Sequence, residues 1–259
     1  MNGDSPLRQS YERVLARIDR ACESAARRRE SVHLLAVSKT FPASDVLALA
    51  ALGQRAFGEN YVQEALDKIA ACRDERSAPT LAGPQQRQPL SWPERRQPLS
   101  WHFIGPIQSN KTRPIAGNFD WVHSIDREKI ARRLSEQRPS ALGPIQVCVQ
   151  VNVSGESSKS GVAPEEACAL VQACRALPAL RVRGLTAIPE PTDDVSLQRS
   201  RFAGLRSLHE RIRGALDREA ADGFDTLSMG MSADLESAIA EGATIVRIGT
   251  ALFGNRPRN

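Results

Sequence analysis

Aromatic residues make up only 5% of the 259 positions, and no run of apolar residues is long. A helix needs about 20 consecutive apolar residues to cross a bilayer, so no membrane span is expected. The opening segment MNGDSPLRQSYERVLARI is polar and amphipathic and lacks the apolar core of a signal peptide. The cysteines, Cys22, Cys72, Cys148, Cys168 and Cys174, are odd in number, scattered, and form no C-x-x-C pair. Neither a disulfide framework nor a zinc or other metal site is therefore indicated, and a reduced, cytoplasmic compartment is expected. No long block of like charge occurs: 35 Lys+Arg against 30 Asp+Glu leave a net charge of +5. With so modest a charge and so few rings to stack on bases, nucleic acid is not an expected partner. The dinucleotide fingerprint G-x-G-x-x-G is also missing after the first apolar run.

What remains is an ordinary globular composition, 41% hydrophobic and 25% charged, with a regular rhythm. Residues 5–28 place Leu7, Tyr11, Val14, Leu15, Ile18 and Cys22 at helical spacing behind a Ser-Pro start signal. Short apolar runs then follow at 33–40, 55–60, 101–105, 121–126, 145–153, 182–189, 225–232 and 244–254. Helix-patterned segments separate them near 43–52, 60–72, 108–116, 127–137, 163–176, 196–220 and 233–241. Strands apolar on both faces, alternating with helices, predict a parallel sheet covered by helices. Eight such units in about 250 residues predict one closed (β/α)₈ barrel, a TIM barrel, in the α/β class with an extra N-terminal helix. An open doubly wound sheet is the alternative.

One segment breaks the rhythm. Residues 73–100 are rich in Pro, Arg and Gln, lack apolar periodicity, and contain RQPLSW twice. The whole of 1–259 reads as a single domain with a disordered insertion at about 73–100, away from the C-terminal end of the third strand.

Barrels of this kind work at the C-terminal ends of their strands. There the first strand carries LLAVSKTFP, in which period two puts Leu35, Val37 and Lys39 on one side. A buried ammonium without a partner is costly, so Lys39 either reaches solvent or meets something that uses an amine. The seventh and eighth runs end in SMGMS (228–232) and RIGT (247–250). Gly230 permits close backbone approach, Ser232 can cap a helix, and Gly249 and Thr250 offer an N–H and a hydroxyl. Such turns suit an anion such as phosphate, although ordinary strand-to-helix turns look the same. Arg247 lies inside an apolar run, beside Ile245 and Gly249, and needs either a carboxylate partner or a ligand. An interior lysine, a phosphate cradle and an interior arginine together suit pyridoxal 5′-phosphate (PLP), whose aldehyde forms a Schiff base with an amine. An arginine at the pyridine nitrogen leaves it unprotonated and weakens the ring as an electron sink.

The stretches AVSKTFP, FGENYVQEA, WHFIGPIQSNK, VHSID, VQVNVSGESSKSG, RGLTAIP and LSMGMSADLESAIAEGATIVRIGTALFG resemble those of the pyridoxal phosphate homeostasis protein family. That family is also known as the proline synthase co-transcribed homologue and is related to the N-terminal barrel of alanine racemase. The resemblance implies a type III PLP-binding barrel, with the cofactor linked to Lys39. It implies phosphate contacts from Ser228, Gly230, Ser232, Gly249 and Thr250, Arg247 facing the pyridine nitrogen, and Asn60 and His102 lining the pocket. His123 is read as a satisfied polar group near the mouth. The resemblance further implies a cofactor carrier in vitamin B6 homeostasis, without catalytic turnover, acting as a monomer and serving PLP-dependent apo-enzymes. The alternatives are a PLP-dependent amino-acid racemase and a Schiff-base aldolase that needs no cofactor. Racemisation needs a second acid/base opposite the lysine. Only NRPRN follows the last strand region, and Tyr11 and Tyr61 are the only tyrosines.

Overall fold

Leu34, Leu35, Ala36 and Val37 are all buried, so neither face of the first strand meets water. In a computed structural model, which describes residues 5–77, 98–154 and 160–255, that strand belongs to a closed parallel barrel. The strands are β1 (His33–Val37), β2 (Ala56–Glu59), β3 (Ser100–Phe103), β4 (Trp121–Ile125), β5 (Ile145–Gln150), β6 (Leu180–Thr186), β7 (Thr226–Ser228) and β8 (Ile245–Ile248). Each pairs with the next, and β8 closes on β1 with Leu35 opposite Arg247. Leu34 and Ala36 join the apolar layer between strands and helices, with Val46, Leu49, Phe57 and Phe103. Leu35 and Val37 take the other side of the strand, towards the barrel axis.

The outer ring comprises α2 (Ala43–Ala51), α3 (Val62–Ser77), α4 (Thr112–Asn118), α5 (Glu128–Gln137), α6 (Ala167–Arg175), α7 (Val195–Gly214), α8 (Arg218–Gly223), α9 (Leu235–Ala240) and α10 (Thr250–Phe253). The expected extra helix is α1 (Pro6–Ser24), capped by the Ser5 side chain accepting from Arg8 N. It buries Tyr11, Val14, Ile18 and Cys22 and packs on α9, α10 and α2.

The barrel agrees with the sequence reading, and the differences lie at element ends. The first strand stops at Val37, because residues 38–40 form a turn and Thr40 takes φ +69°. The single helix expected over 196–220 is two, since Asp217 caps a new start by accepting from Ala220 N. Pro114 sits inside α4 without breaking it, because first-turn N–H groups need no helical acceptor. Residues 73–77, taken as the start of the insertion, continue α3. Its stretch 78–97, with most of the RQPLSW repeat, lies outside the described residues. All five cysteines are free. Among the described residues no helix is long and apolar enough to cross a membrane, and no cluster of His, Cys, Asp or Glu could hold a metal ion.

Candidate functional site

The turn after β1 carries Lys39 between a buried Ser38 and an exposed Thr40, and Lys39 itself is half-buried. A second lysine braces this turn. Lys68, on α3, donates to Ser38 O at 2.7 Å, Glu59 Oε1 at 2.6 Å and Glu64 Oε1 at 3.0 Å. Ser38 Oγ donates to the same Glu59 oxygen at 2.7 Å, and Thr40 N to Glu64 Oε1 at 2.6 Å. All three hydrogens of the Lys68 ammonium are therefore committed, and this amine is locked as a structural cation. Burial raises the Glu59 carboxyl above the usual range, opposed by the Lys68 charge and by hydrogen bonds from Lys68 and Ser38. Neither Glu59 nor Lys68 stood out in the sequence as a partner of the lysine turn. The signal was there as a carboxylate ending a strand, followed nine residues later by a lysine on the next helix.

Asn60 follows Glu59 at the end of β2. Its Oδ1 is buried and makes no hydrogen bond, an acceptor waiting for a donor. Gly105 passes so close that a Cβ there would stand 2.3 Å from Asn60 O, which keeps the β2 and β3 ends pressed together. Tyr61, by contrast, is 52% exposed.

The turns after β7 and β8 meet on the same side of the barrel. Gly230 has φ +93°, and its carbonyl accepts from Arg247 N at 2.9 Å. A Cβ at Gly230 would lie 2.5 Å from the Ala238 methyl of α9. Gly230→Ala is therefore expected to destabilise the fold by about 2–3 kcal/mol, read as a lower urea midpoint at unchanged slope. Ser232 links the two turns: its Oγ accepts from Ala251 N at 3.4 Å, while its carbonyl takes Arg17 of α1 at 3.1 Å. Gly249 caps α10 against β1, with a built Cβ 3.3 Å from Val37 O, two residues before Lys39. Thr250 is exposed beside it. Lys39, Asn60, Gly230, Ser232, Gly249 and Thr250 thus all lie at the C-terminal ends of β1, β2, β7 and β8.

Arg247, Ser228 and His102 form a deeper layer. The Arg247 guanidinium donates to Ser228 O (2.6 Å), Ser228 Oγ (2.9 Å), Thr186 Oγ1 (3.2 Å) and Ala187 O (2.8 Å). It is 4% exposed, and among the described residues no carboxylate forms an ion pair with it. Burial lowers its pKa to about 10, so it stays charged at neutral pH. The carboxylate partner left open by the sequence is not what holds it. Ser228 and His102 turn their polar side-chain atoms to the protein: Ser228 to Arg247 and His123, His102 to Ser100 and His123.

Both histidines are neutral. Burial lowers His102 to about 3 and His123 well below its ordinary value, the latter helped by the neighbouring His102 and then by the Arg247 charge. A histidine whose folded pKa is depressed stabilises the fold above its unfolded pKa of about 6.5 and loses that contribution as pH falls. The melting temperature should therefore fall between pH 6.5 and 4, and a His102→Gln, His123→Asn double variant should show a shallower decline. Equal slopes in the two proteins would refute this.

Comparison with known proteins follows the same lines. The family model described as alanine racemase, N-terminal domain, matches residues 13–257. A pyridoxal phosphate homeostasis protein of Pseudomonas aeruginosa is 55% identical over 252 residues, covering 97% of this chain and 96% of its own length. The solved structure of PipY from Synechococcus elongatus, with PLP bound, superposes with a TM-score of 0.72 at 32% identity, covering 92% of this chain and 99% of that one. Alanine racemase of Corynebacterium glutamicum shares the fold at a TM-score of 0.59 and 16% identity, covering 94% of this chain and 61% of its own. The chain belongs to the pyridoxal phosphate homeostasis protein family, built on the alanine racemase N-terminal domain.

Proposed function

We propose that this protein binds PLP at the C-terminal mouth of the barrel, holds it on Lys39, and serves intracellular PLP homeostasis without turning over a substrate. The observation that carries the reading is the convergence of a braced lysine turn and two linked glycine turns above a buried guanidinium with no carboxylate partner. The residues fit the cofactor. Asn60 presents an unfilled buried acceptor, and Arg247 is a buried cation held by neutral acceptors with no carboxylate among the described residues to balance its charge. Lys39 would supply the amine, and Gly230, Ser232, Gly249 and Thr250 would hold the phosphate. Arg247, a permanent donor, would face the ring nitrogen, while Ser228 and His102 support it from below. PLP bound as a Schiff base supplies an electron sink, and a guanidinium at the ring nitrogen keeps that sink weak. Storage rather than catalysis suits this electrostatic setting. Support also comes from the name of the Pseudomonas relative and from the PLP-bound state of PipY.

The wider setting belongs to the same proposal: a cytoplasmic monomer that passes PLP to apo-enzymes. All its cysteines are free, which suits a reducing compartment. Titration of the purified protein with PLP, followed by borohydride and by racemase assays, tests it. A visible band that borohydride removes, without racemisation, is the expected result. No band, or steady turnover of a free amino acid, overturns the reading. Ser232→Ala should keep the band and weaken PLP binding about 5-fold, the worth of one ordinary hydrogen bond, as read by equilibrium dialysis.

A further inference from the structure

A barrel interior is ordinarily filled by branched aliphatic side chains in layers. Here a polar chain crosses it. Arg247 Nη1 meets Ser228 Oγ at 2.9 Å, Ser228 Oγ meets His123 Nδ1 at 2.8 Å, His123 Nε2 meets His102 Nδ1 at 2.9 Å, and His102 Nε2 meets Ser100 Oγ at 3.0 Å. The four inner members are at most 4% exposed. Rings on either side fix the histidines: His102 stacks on Trp121 with centroids 5.3 Å apart and planes 3° from parallel.

The donor at one end of the chain is fixed. A guanidinium can only donate, so Ser228 Oγ accepts from Arg247. The Ser228 hydrogen is then free to go to His123 Nδ1 in the tautomer that leaves this nitrogen bare. In that tautomer His123 carries its proton on Nε2 and donates to His102 Nδ1, and His102 donates from Nε2 to Ser100. Every link is satisfied in this arrangement, which also gives the Ser228 hydrogen an acceptor. Arg247 Nη1 also donates to Ser228 O and Thr186 Oγ1 and Nη2 to Ala187 O, so the Ser228 hydroxyl is one of four acceptors that together set the guanidinium's rotation.

We infer that His123 is a positioning residue for the cofactor site: through Ser228 it fixes the plane of the Arg247 guanidinium, and so the donor presented to the pyridine end of PLP. The inference rests on the proposed function. It predicts coupling. His123→Leu removes the acceptor and frees the Ser228 hydroxyl to turn towards other partners, whereas His123→Asn keeps an oxygen near the Nδ1 position. PLP affinity is measured by titration, together with the maximum of the visible band.

His123→Leu is expected to weaken binding about 10-fold and to shift the band, as befits a lost hydrogen bond to a charged group's anchor. His123→Asn should stay within about 3-fold of wild type with the band in place. In an Arg247→Gln background, His123→Leu should add less than about 2-fold, because the group it positions has gone. If His123→Leu does not accumulate as folded protein, Ser228→Ala cuts the same link by loss of one oxygen and carries the same expectations.

Multiplicative effects of His123→Leu and Arg247→Gln would mark general damage to the barrel and overturn the inference. So would wild-type affinity and spectrum in both His123→Leu and Ser228→Ala. Wild-type protein that binds no PLP overturns the proposed function itself. Binding by wild type with indifferent variants overturns the positioning role alone.

Discussion

Lys39→Ala should abolish the borohydride-sensitive visible band that PLP is expected to produce with the wild-type protein. The loss should be complete, because a covalent link cannot be made in part, and residual binding through the phosphate turns should be weaker by at least about 100-fold. Lys39→Arg should fail equally, since it keeps the charge but offers no nucleophilic amine. The chain is sparing with lysine, the others being Lys68, Lys111, Lys129 and Lys159. Lys68 is 4% exposed on its side chain and bonded through all its hydrogens, so it is no substitute. Peptide mapping after borohydride reduction should place the label on the peptide that spans residue 39. A band retained in Lys39→Ala would sink the assignment.

The barrel was legible because its strands are buried on both faces and its turns carry glycine at strand ends, both local properties of the chain. Lys39 and Arg247 were legible for a related reason: a cation within an apolar run is costly unless something answers it. What braces these two residues was not legible. Lys68 is nine residues from Glu59, yet reaches across to Ser38, thirty residues away, and the pairing of β1 with β2 is what brings α3 under the turn after β1. His123 and His102 looked like unrelated polar residues on neighbouring strands. Their contact depends on the stagger of β3 against β4, where His102 pairs in register with Trp121, and single-strand periodicity carries no such information. Element ends were missed where a side chain decides them, as Asp217 does between α7 and α8.

The Lys68–Glu59 pair carries the largest stability effect expected outside the apolar core. Its side chains are 4% and 0% exposed, and the Glu59 carboxylate has no other cation within ion-pair distance among the described residues. Lys68→Ala leaves that charge stranded and should cost about 3–5 kcal/mol, or about 10 °C in melting temperature for a chain of this size. Replacing both partners, as in Lys68→Met with Glu59→Leu, removes the stranded charge and should recover most of the loss. The pH dependence has a definite sign. Burial already raises the Glu59 pKa, and removing Lys68 raises it further, so the carboxyl becomes neutral more readily as pH falls. A group whose folded pKa is raised favours the fold at low pH and loses that advantage as pH rises through the folded value. The deficit of Lys68→Ala relative to wild type should accordingly shrink from pH 8 to pH 5, as read by urea unfolding at both values. Because Lys68 also holds Ser38 O and, through Glu64, the Thr40 N–H, the single variant should bind PLP more weakly even where it is fully folded. The double variant should regain stability without regaining affinity. Affinity recovered together with stability would show that the pair supports only the fold, and that the Lys39 turn keeps its shape without it.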